Sequence, residues 1–152
     1  MGRTIVYLID TNIIVYYLEG EQVAVSFLRT HRGKLSISSI TWMETLSYPF
    51  SAEEDRVVRK FLQEFRLIEI FAPVMELAVE IRRMKKIKLP DAIIAASAIQ
   101  NDLILVTRNV KDFNGTKVKT LDPFANLLPR KEEPTPQNAL TPDLPEVTNK
   151  KR

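Results

Sequence analysis

Four carboxylates in this chain stand where chemistry could be done. Asp10 sits inside YLIDTNIIVYYL, residues 7–18, between two apolar runs and beside Thr11 and Asn12. A carboxylate between two segments that both read as buried is costly to place there. Glu44 lies in SISSITWMET, Asp91 in LPDAIIAASAI, and Asp112 in LVTRNVKDF together with Thr107 and Asn109. Each acid also has a purely architectural reading. Asp10 could cap a helix. Thr41 and Glu44 have the spacing of a capping box. Asp91 would suit the positive end of a helix dipole, and Asp112 a turn. Converging on one point, the four would repel one another, and some would stay protonated unless a cation neutralised them. Hard divalent ions such as Mg2+ take oxygen ligands and keep several waters. Such an ion can activate water and neutralise a phosphodiester in a transition state.

The elements that must position these acids follow from periodicity. Residues 5–9 are a short β-branched run, read as a strand buried on both faces. Residues 12–18 form a helix that stops at Gly20, and 22–31 a second with Val23, Phe27 and Leu28 on one side. Residues 35–38 are a strand and 41–48 a helix that Pro49 helps to end. Ser51, with Glu54 three residues on, opens a helix whose apolar face is Val57, Val58, Phe61, Leu62 and Phe65. Residues 67–71 are a strand. Pro73 then opens a helix ending in the basic run RRMKKIK, and Pro90 opens another rich in small residues. Strands at 103–106 and 118–121 complete the set. Short apolar strands alternating with helices predict an α/β fold with a central parallel sheet flanked by helices. Ligands of such sheets bind beyond the carboxyl ends of the strands, and all four acids are expected near that edge.

Composition narrows the chemistry further. The chain has 152 residues, a net charge of +3, no cysteine, one histidine and four glycines. Thiolate catalysis, disulfides, zinc–thiolate sites and multi-histidine sites are excluded. A P-loop nucleotide site is disfavoured, because no Gly-rich phosphate loop is present. His31 reads as a surface residue near a helix end. No apolar run approaches the roughly 20 residues that span a bilayer, and no secretory signal is visible, so a cytoplasmic protein with no membrane partner is expected. Residues 129–152 hold five of the nine prolines and no aromatic residue. The reading is therefore one domain over 1–128 and a Pro-rich tail over 129–152, expected to be disordered.

Four segments in order, LIDTN at 8–12, SISSITWMET at 36–45, LPDAIIAASAI at 89–99 and LVTRNVKDF at 105–113, carry a family resemblance. The chain resembles PIN-domain ribonucleases, most closely the VapC-type toxins of type II toxin–antitoxin pairs. The resemblance implies a three-layer PIN fold with an acidic pocket and Mg2+- or Mn2+-dependent endoribonuclease activity. Asp10, Glu44 and Asp91 match the family's first three acids. Asp112 matches the fourth position of many bacterial members, while others carry an acid where this chain has Asn109. Thr11, Asn12 and Thr107 match supporting polar positions. After Glu44 the chain reads TLSYPF, where many relatives have two leucines and a glycine.

Under this reading Asp10, Asp91 and Asp112 hold the metal and Glu44 completes the catalytic pocket. Arg108, Lys111, Arg82, Lys85 and Lys86 are candidate contacts to the RNA backbone, although solvated lysines are equally common on helix ends. The resemblance further implies a cognate antitoxin and a homodimer, with Tyr16, Tyr17 and Trp42 as candidate exposed contacts, although core packing is the more common fate of such residues. The competing expectations are a non-catalytic RNA- or protein-binding PIN domain and a structure-specific DNA nuclease.

Overall fold

A computed structural model describes residues 4–125. The tail assigned to 129–152 lies outside the described residues. Five strands and six α-helices alternate: β1 (Tyr7–Ile9), α1 (Thr11–Leu18), α2 (Gln22–Thr30), β2 (Leu35–Ser38), α3 (Ser39–Leu46), α4 (Ala52–Leu62), β3 (Arg66–Ile68), α5 (Ala72–Met84), α6 (Leu89–Gln100), β4 (Ile104–Val106) and β5 (Thr120–Leu121). The strands form one parallel sheet in the order β3-β2-β1-β4-β5. The chain thus winds outward from β1 to one edge, then returns beside β1 and leaves by the other.

Both faces of the sheet are covered, as the apolar strands require. Leu8 and Leu105 face a core built with Val74, Ala78 and Ile81 of α5 and the alanines of α6. Ile9, Ile37 and Val106 face the opposite core, with Ile13 and Ile14 of α1, Ala24 and Leu28 of α2, and Val58 and Leu62 of α4. Helix α6 is buried on nearly every side through Ala92, Ile94, Ala95, Ala96, Ser97 and Ala98. Small residues let it lie close to α5 and the sheet together.

Local chemistry sets the helix ends. Ser51 and Glu54 make both bonds of a capping box at α4, with Glu53, Glu54 and Asp55 in its first turn and Arg59 and Lys60 in its last. Pro73 and Pro90 sit in the first turns of α5 and α6. Gly20, at φ +80°, makes the left-handed turn after α1 that other residues resist.

Two expectations are corrected. Strand β3 spans Arg66–Ile68 rather than 67–71, because β2, beside it in the sheet, ends at Ser38 opposite Ile68. Helix α3 begins at Ser39 rather than 41. Ser38 caps it, its hydroxyl accepting from the Ile40 N–H at 3.1 Å. Thr41 is therefore not a cap, and it lies fully buried inside the helix. Among the described residues no helix is long and apolar enough to cross a membrane.

Candidate active site

The register of the sheet brings the first polar pair together. Ile9 pairs with Val106, so the next residues, Asp10 and Thr107, meet at the carboxyl edge. The Thr107 hydroxyl donates to Asp10 Oδ2 at 2.8 Å across 97 residues of sequence. Thr107 is itself pinned, its N–H donating to Leu121 O of β5. Its hydroxyl oxygen accepts from Asn12 Nδ2 at 3.1 Å and from the Asn109 N–H at 3.1 Å. One donated and two accepted bonds use the whole capacity of a hydroxyl.

Asp10 is a helix cap and something more. Its Oδ1 accepts from the Thr11 N–H at 2.8 Å at the start of α1. Oδ2 takes the Thr107 hydroxyl and, more weakly, Asn12 Nδ2 at 3.4 Å. Asn12 is oriented in turn by the Arg108 N–H, which donates to its Oδ1 at 3.3 Å. Residues from α1 and the β4 loop therefore lock one carboxylate, and Oδ1, with a single donor, keeps a lone pair to offer. The residue is only 6% exposed. Burial pushes its carboxyl up to about 6, against the bonds from Thr107 and Thr11 that hold it down, and Asp91 and Glu44 raise it further by repulsion.

Glu44 reaches the same pocket from α3. The Thr11 hydroxyl, with one proton to give, donates to Glu44 Oε1 at 2.8 Å and so accepts in its 3.0 Å contact with Thr41 Oγ1. Moving the cap of α3 back to Ser38 is what frees Thr41 and Glu44 for this chain of hydroxyls. Asp91, in the first turn of α6, is half-buried. Burial raises its carboxyl, Asp112 and Glu44 raise it further, and Lys88 opposes them. Asp112 lies exposed in a 3-10 turn, Val110–Phe113, whose Asp112 N–H is bonded to Asn109 O. Asp112 acts on Asp91 through its charge, whereas Asn109 acts through its backbone N–H on Thr107.

Among the described residues no three His, Cys, Asp or Glu side chains form a group that could hold a metal ion as they lie. The donors nevertheless suit a hard cation: all are oxygens, and the Asp10 and Asp91 carboxyls are raised by burial first and by neighbouring negative charge after it. Mg2+ commonly uses one or two carboxylates and fills its remaining positions with water and substrate phosphate.

The basic candidates divide. Arg82 Nε donates to Ile87 O at 3.2 Å and Lys85 Nζ to Asn114 O, so both tie loops together. Lys86, Arg108 and Lys111 are exposed. Tyr16, Tyr17 and Trp42, expected as open contacts, instead pack partly buried on the second core, with Tyr17 stacked on Phe61 at 4.4 Å. The large exposed apolar residues are elsewhere, including Phe71, Met75 and Val79 along α5.

The comparisons agree with this architecture. A family model described as PIN domain matches residues 7–118. A toxin–antitoxin complex from Klebsiella pneumoniae contains a chain 36% identical, with a TM-score of 0.71, covering 78% of this chain and 98% of that one. A chain of FitAcB from Neisseria gonorrhoeae is 25% identical at a TM-score of 0.68, covering 78% and 99%. A chain of VapBC2 from Rickettsia felis, solved with a promoter DNA fragment, is 25% identical at a TM-score of 0.66, covering 78% and 100%. A search of the curated proteins finds no match. With the parallel five-stranded sheet, the locked Asp10 at its carboxyl edge and the family match over most of its length, this chain belongs to the PIN-domain family.

Proposed function

We propose that this chain is a metal-dependent endoribonuclease that hydrolyses RNA phosphodiester bonds, acting as the toxin of a toxin–antitoxin pair. The observation that carries the reading is Asp10: a buried carboxylate fixed by Thr11, Asn12 and Thr107 while Asp91 and Glu44 press on it electrostatically. A fold gains nothing from ionising such a group unless a cation meets it. The toxin half of the proposal draws on the 36% identical chain in the Klebsiella pneumoniae toxin–antitoxin complex.

Asp10, Asp91 and Asp112 would hold Mg2+ or Mn2+. When bound, the ion supplies an activated water and neutralises charge on the phosphodiester. The chain's own residues do the rest. Thr107 and Thr11 keep Asp10 from rotating, so its remaining lone pair points one way. Glu44, steadied by the Thr11 hydroxyl, positions the attacking water or takes its proton. The exposed cations Arg108, Lys111 and Lys86 draw the RNA backbone in. An antitoxin would cover the pocket. A second copy of the chain would complete the active form, using the Phe71, Met75 and Val79 stripe rather than Tyr16, Tyr17 or Trp42. Such a toxin would work in the cytoplasm.

The test is cleavage of an RNA pool with Mn2+ or Mg2+ by wild type and Asp10→Asn, run beside DNA flaps. RNA cleavage by wild type alone is expected. Equal activity in both proteins removes Asp10 from the reaction. Absence of metal-dependent cleavage favours a binding module, and preferential cutting of flaps a DNA nuclease.

A further inference from the structure

Arg108 is held in an unusual way for an exposed arginine. It directly follows Thr107, and its N–H is bonded to Asn12 Oδ1, so its backbone is fixed to the Asp10 network. Its guanidinium carbon lies 5.0 Å from the Tyr16 ring centroid and 4.5 Å from that of Phe124. The two rings are 5.1 Å apart, tilted at 55°. Tyr16 comes from α1. Phe124 comes from a turn after β5, set by the Phe124 N–H donating to Asp122 Oδ1 at 2.8 Å. The bond from the Thr107 N–H to Leu121 O joins the ends of β4 and β5 and brings this turn alongside.

The guanidinium is also unneutralised. Among the described residues, Arg32, Arg56 and Arg59 form ion pairs within 4.0 Å and Arg108 forms none, although carboxylates crowd the neighbouring pocket. Arg82 and Lys85, by contrast, are engaged with carbonyls. A positive charge with no ion pair, carried on a backbone fixed to the Asp10 network, is matched to an anion that approaches that pocket. Guanidinium presents a planar fork that fits phosphate through two parallel N–H bonds, and it is always charged. Aromatic faces attract the cation and restrict its rotamers before any ligand arrives, so less freedom is lost on binding.

We propose that Arg108, preset by Tyr16 and Phe124, is a clamp for a backbone phosphate of the RNA strand that crosses the carboxylate pocket. This deepens the endoribonuclease reading and rests on it. Arg108 would touch the substrate, whereas Tyr16 and Phe124 are positioning residues.

The experiment separates the two claims. Binding of a fluorescent single-stranded RNA to the full chain is measured in EDTA between about 50 and 200 mM salt, and RNA cleavage is measured separately with Mn2+. Arg108 is exposed, so its variants should fold, and thermal melting verifies that. Arg108→Ala is expected to weaken binding about tenfold and to lower the salt slope by about 1. In cleavage it raises KM and leaves kcat near wild type. Arg108→Lys should keep the salt slope but bind several-fold more weakly, because the fork is lost. Phe124→Leu should also keep the slope and bind more weakly, because the charge remains but is no longer preset.

Wild-type affinity and slope in Arg108→Ala would overturn the clamp while leaving any cleavage activity standing. So would wild-type protein that binds no RNA in EDTA. Loss of a co-expressed protein partner with unchanged RNA binding would also overturn it, by marking Arg108 as a protein contact. If the binding results appear as expected and wild type cleaves no RNA, the clamp stands and the endoribonuclease reading falls.

Discussion

Replacing Asp10 by Asn should make the metal-free protein more stable while abolishing its proposed activity. The ordinary carboxyl value of 3.8 is raised to about 6 in the folded chain. At about 1.4 kcal/mol per pH unit, the ionised group costs the folded state about 3 kcal/mol. The amide removes that charge but turns one oxygen into a donor, facing either the Thr11 N–H or the Thr107 hydroxyl. That mismatch returns about 1 kcal/mol. A net gain of about 2 kcal/mol corresponds to a rise in Tm of about 6–10 °C for a domain of this size. The pH dependence carries the diagnosis. Because the folded state binds this proton more tightly than the unfolded chain, the stability from protonated Asp10 is complete below 3.8 and lost as pH rises through about 6. Asn carries no such proton. The advantage of the variant should therefore open between about pH 4 and 6 and stay flat above about 7. Thermal melts in EDTA from pH 4 to 8 measure it. Mn2+ at a hundred times its Kd should then stabilise wild type by about 2.7 kcal/mol and leave the variant unmoved, closing or reversing the gap. A difference in Tm that is the same at pH 4 and 8, or a variant less stable at pH 8, would refute the account of Asp10 as a carboxylate charged at a cost to the fold.

Other substitutions probe the surrounding network. Thr107→Val leaves the partners of a three-bonded hydroxyl unsatisfied. It should lower stability by about 1–3 kcal/mol and activity by about 10- to 100-fold, with Thr107→Ser restoring most of both. Denaturant melts and cleavage rates check this, and a silent Thr107→Val would sink it. Asp112→Asn should lower the Asp91 pKa, because Asp112 is its largest repulsive neighbour, and should weaken Mn2+ binding in calorimetry. Asn109→Ala should do neither, because Asn109 contributes its backbone N–H. Met75→Glu, on the exposed face of α5, should shift sedimentation toward the monomer mass without changing Tm by more than about 0.5 kcal/mol equivalent. An unchanged mass would exclude that face.

Much of this architecture is legible from residue order. The β-branched runs and the Ser51–Glu54 box require only local pattern, and the alternation of strands and helices fixes the parallel sheet. Asp10 stands out because a charge between apolar runs has few uses. The less legible features depend on meetings distant in sequence. Ser38 and Thr41 are both plausible caps for α3, and only the end of β2 decides for Ser38. That decision turns Thr41 from a cap into a buried link to Thr11. The basic run 82–88 gives no sign that Arg82 and Lys85 will be drawn to carbonyls of nearby loops. Phe124 carries no signal at all, since its role depends on a turn that brings it to Arg108.

The bond between Thr107 and Asp10 also orders events in time. It joins positions 97 residues apart, across the pairing of β1 with β4, and β4 is made long after β1 on the ribosome. Chains grow from the N-terminus at about 5–20 residues per second. A nascent chain that has finished β1, β2 and β3 has Asp10 and Glu44 but no Thr107 to fix the first of them. Contacts so distant in sequence slow folding more than they cost stability. The pocket is therefore among the last parts of the molecule to take shape, and a chain released before β4 holds Asp10 only through its neighbours Thr11 and Asn12, without the Thr107 hydroxyl.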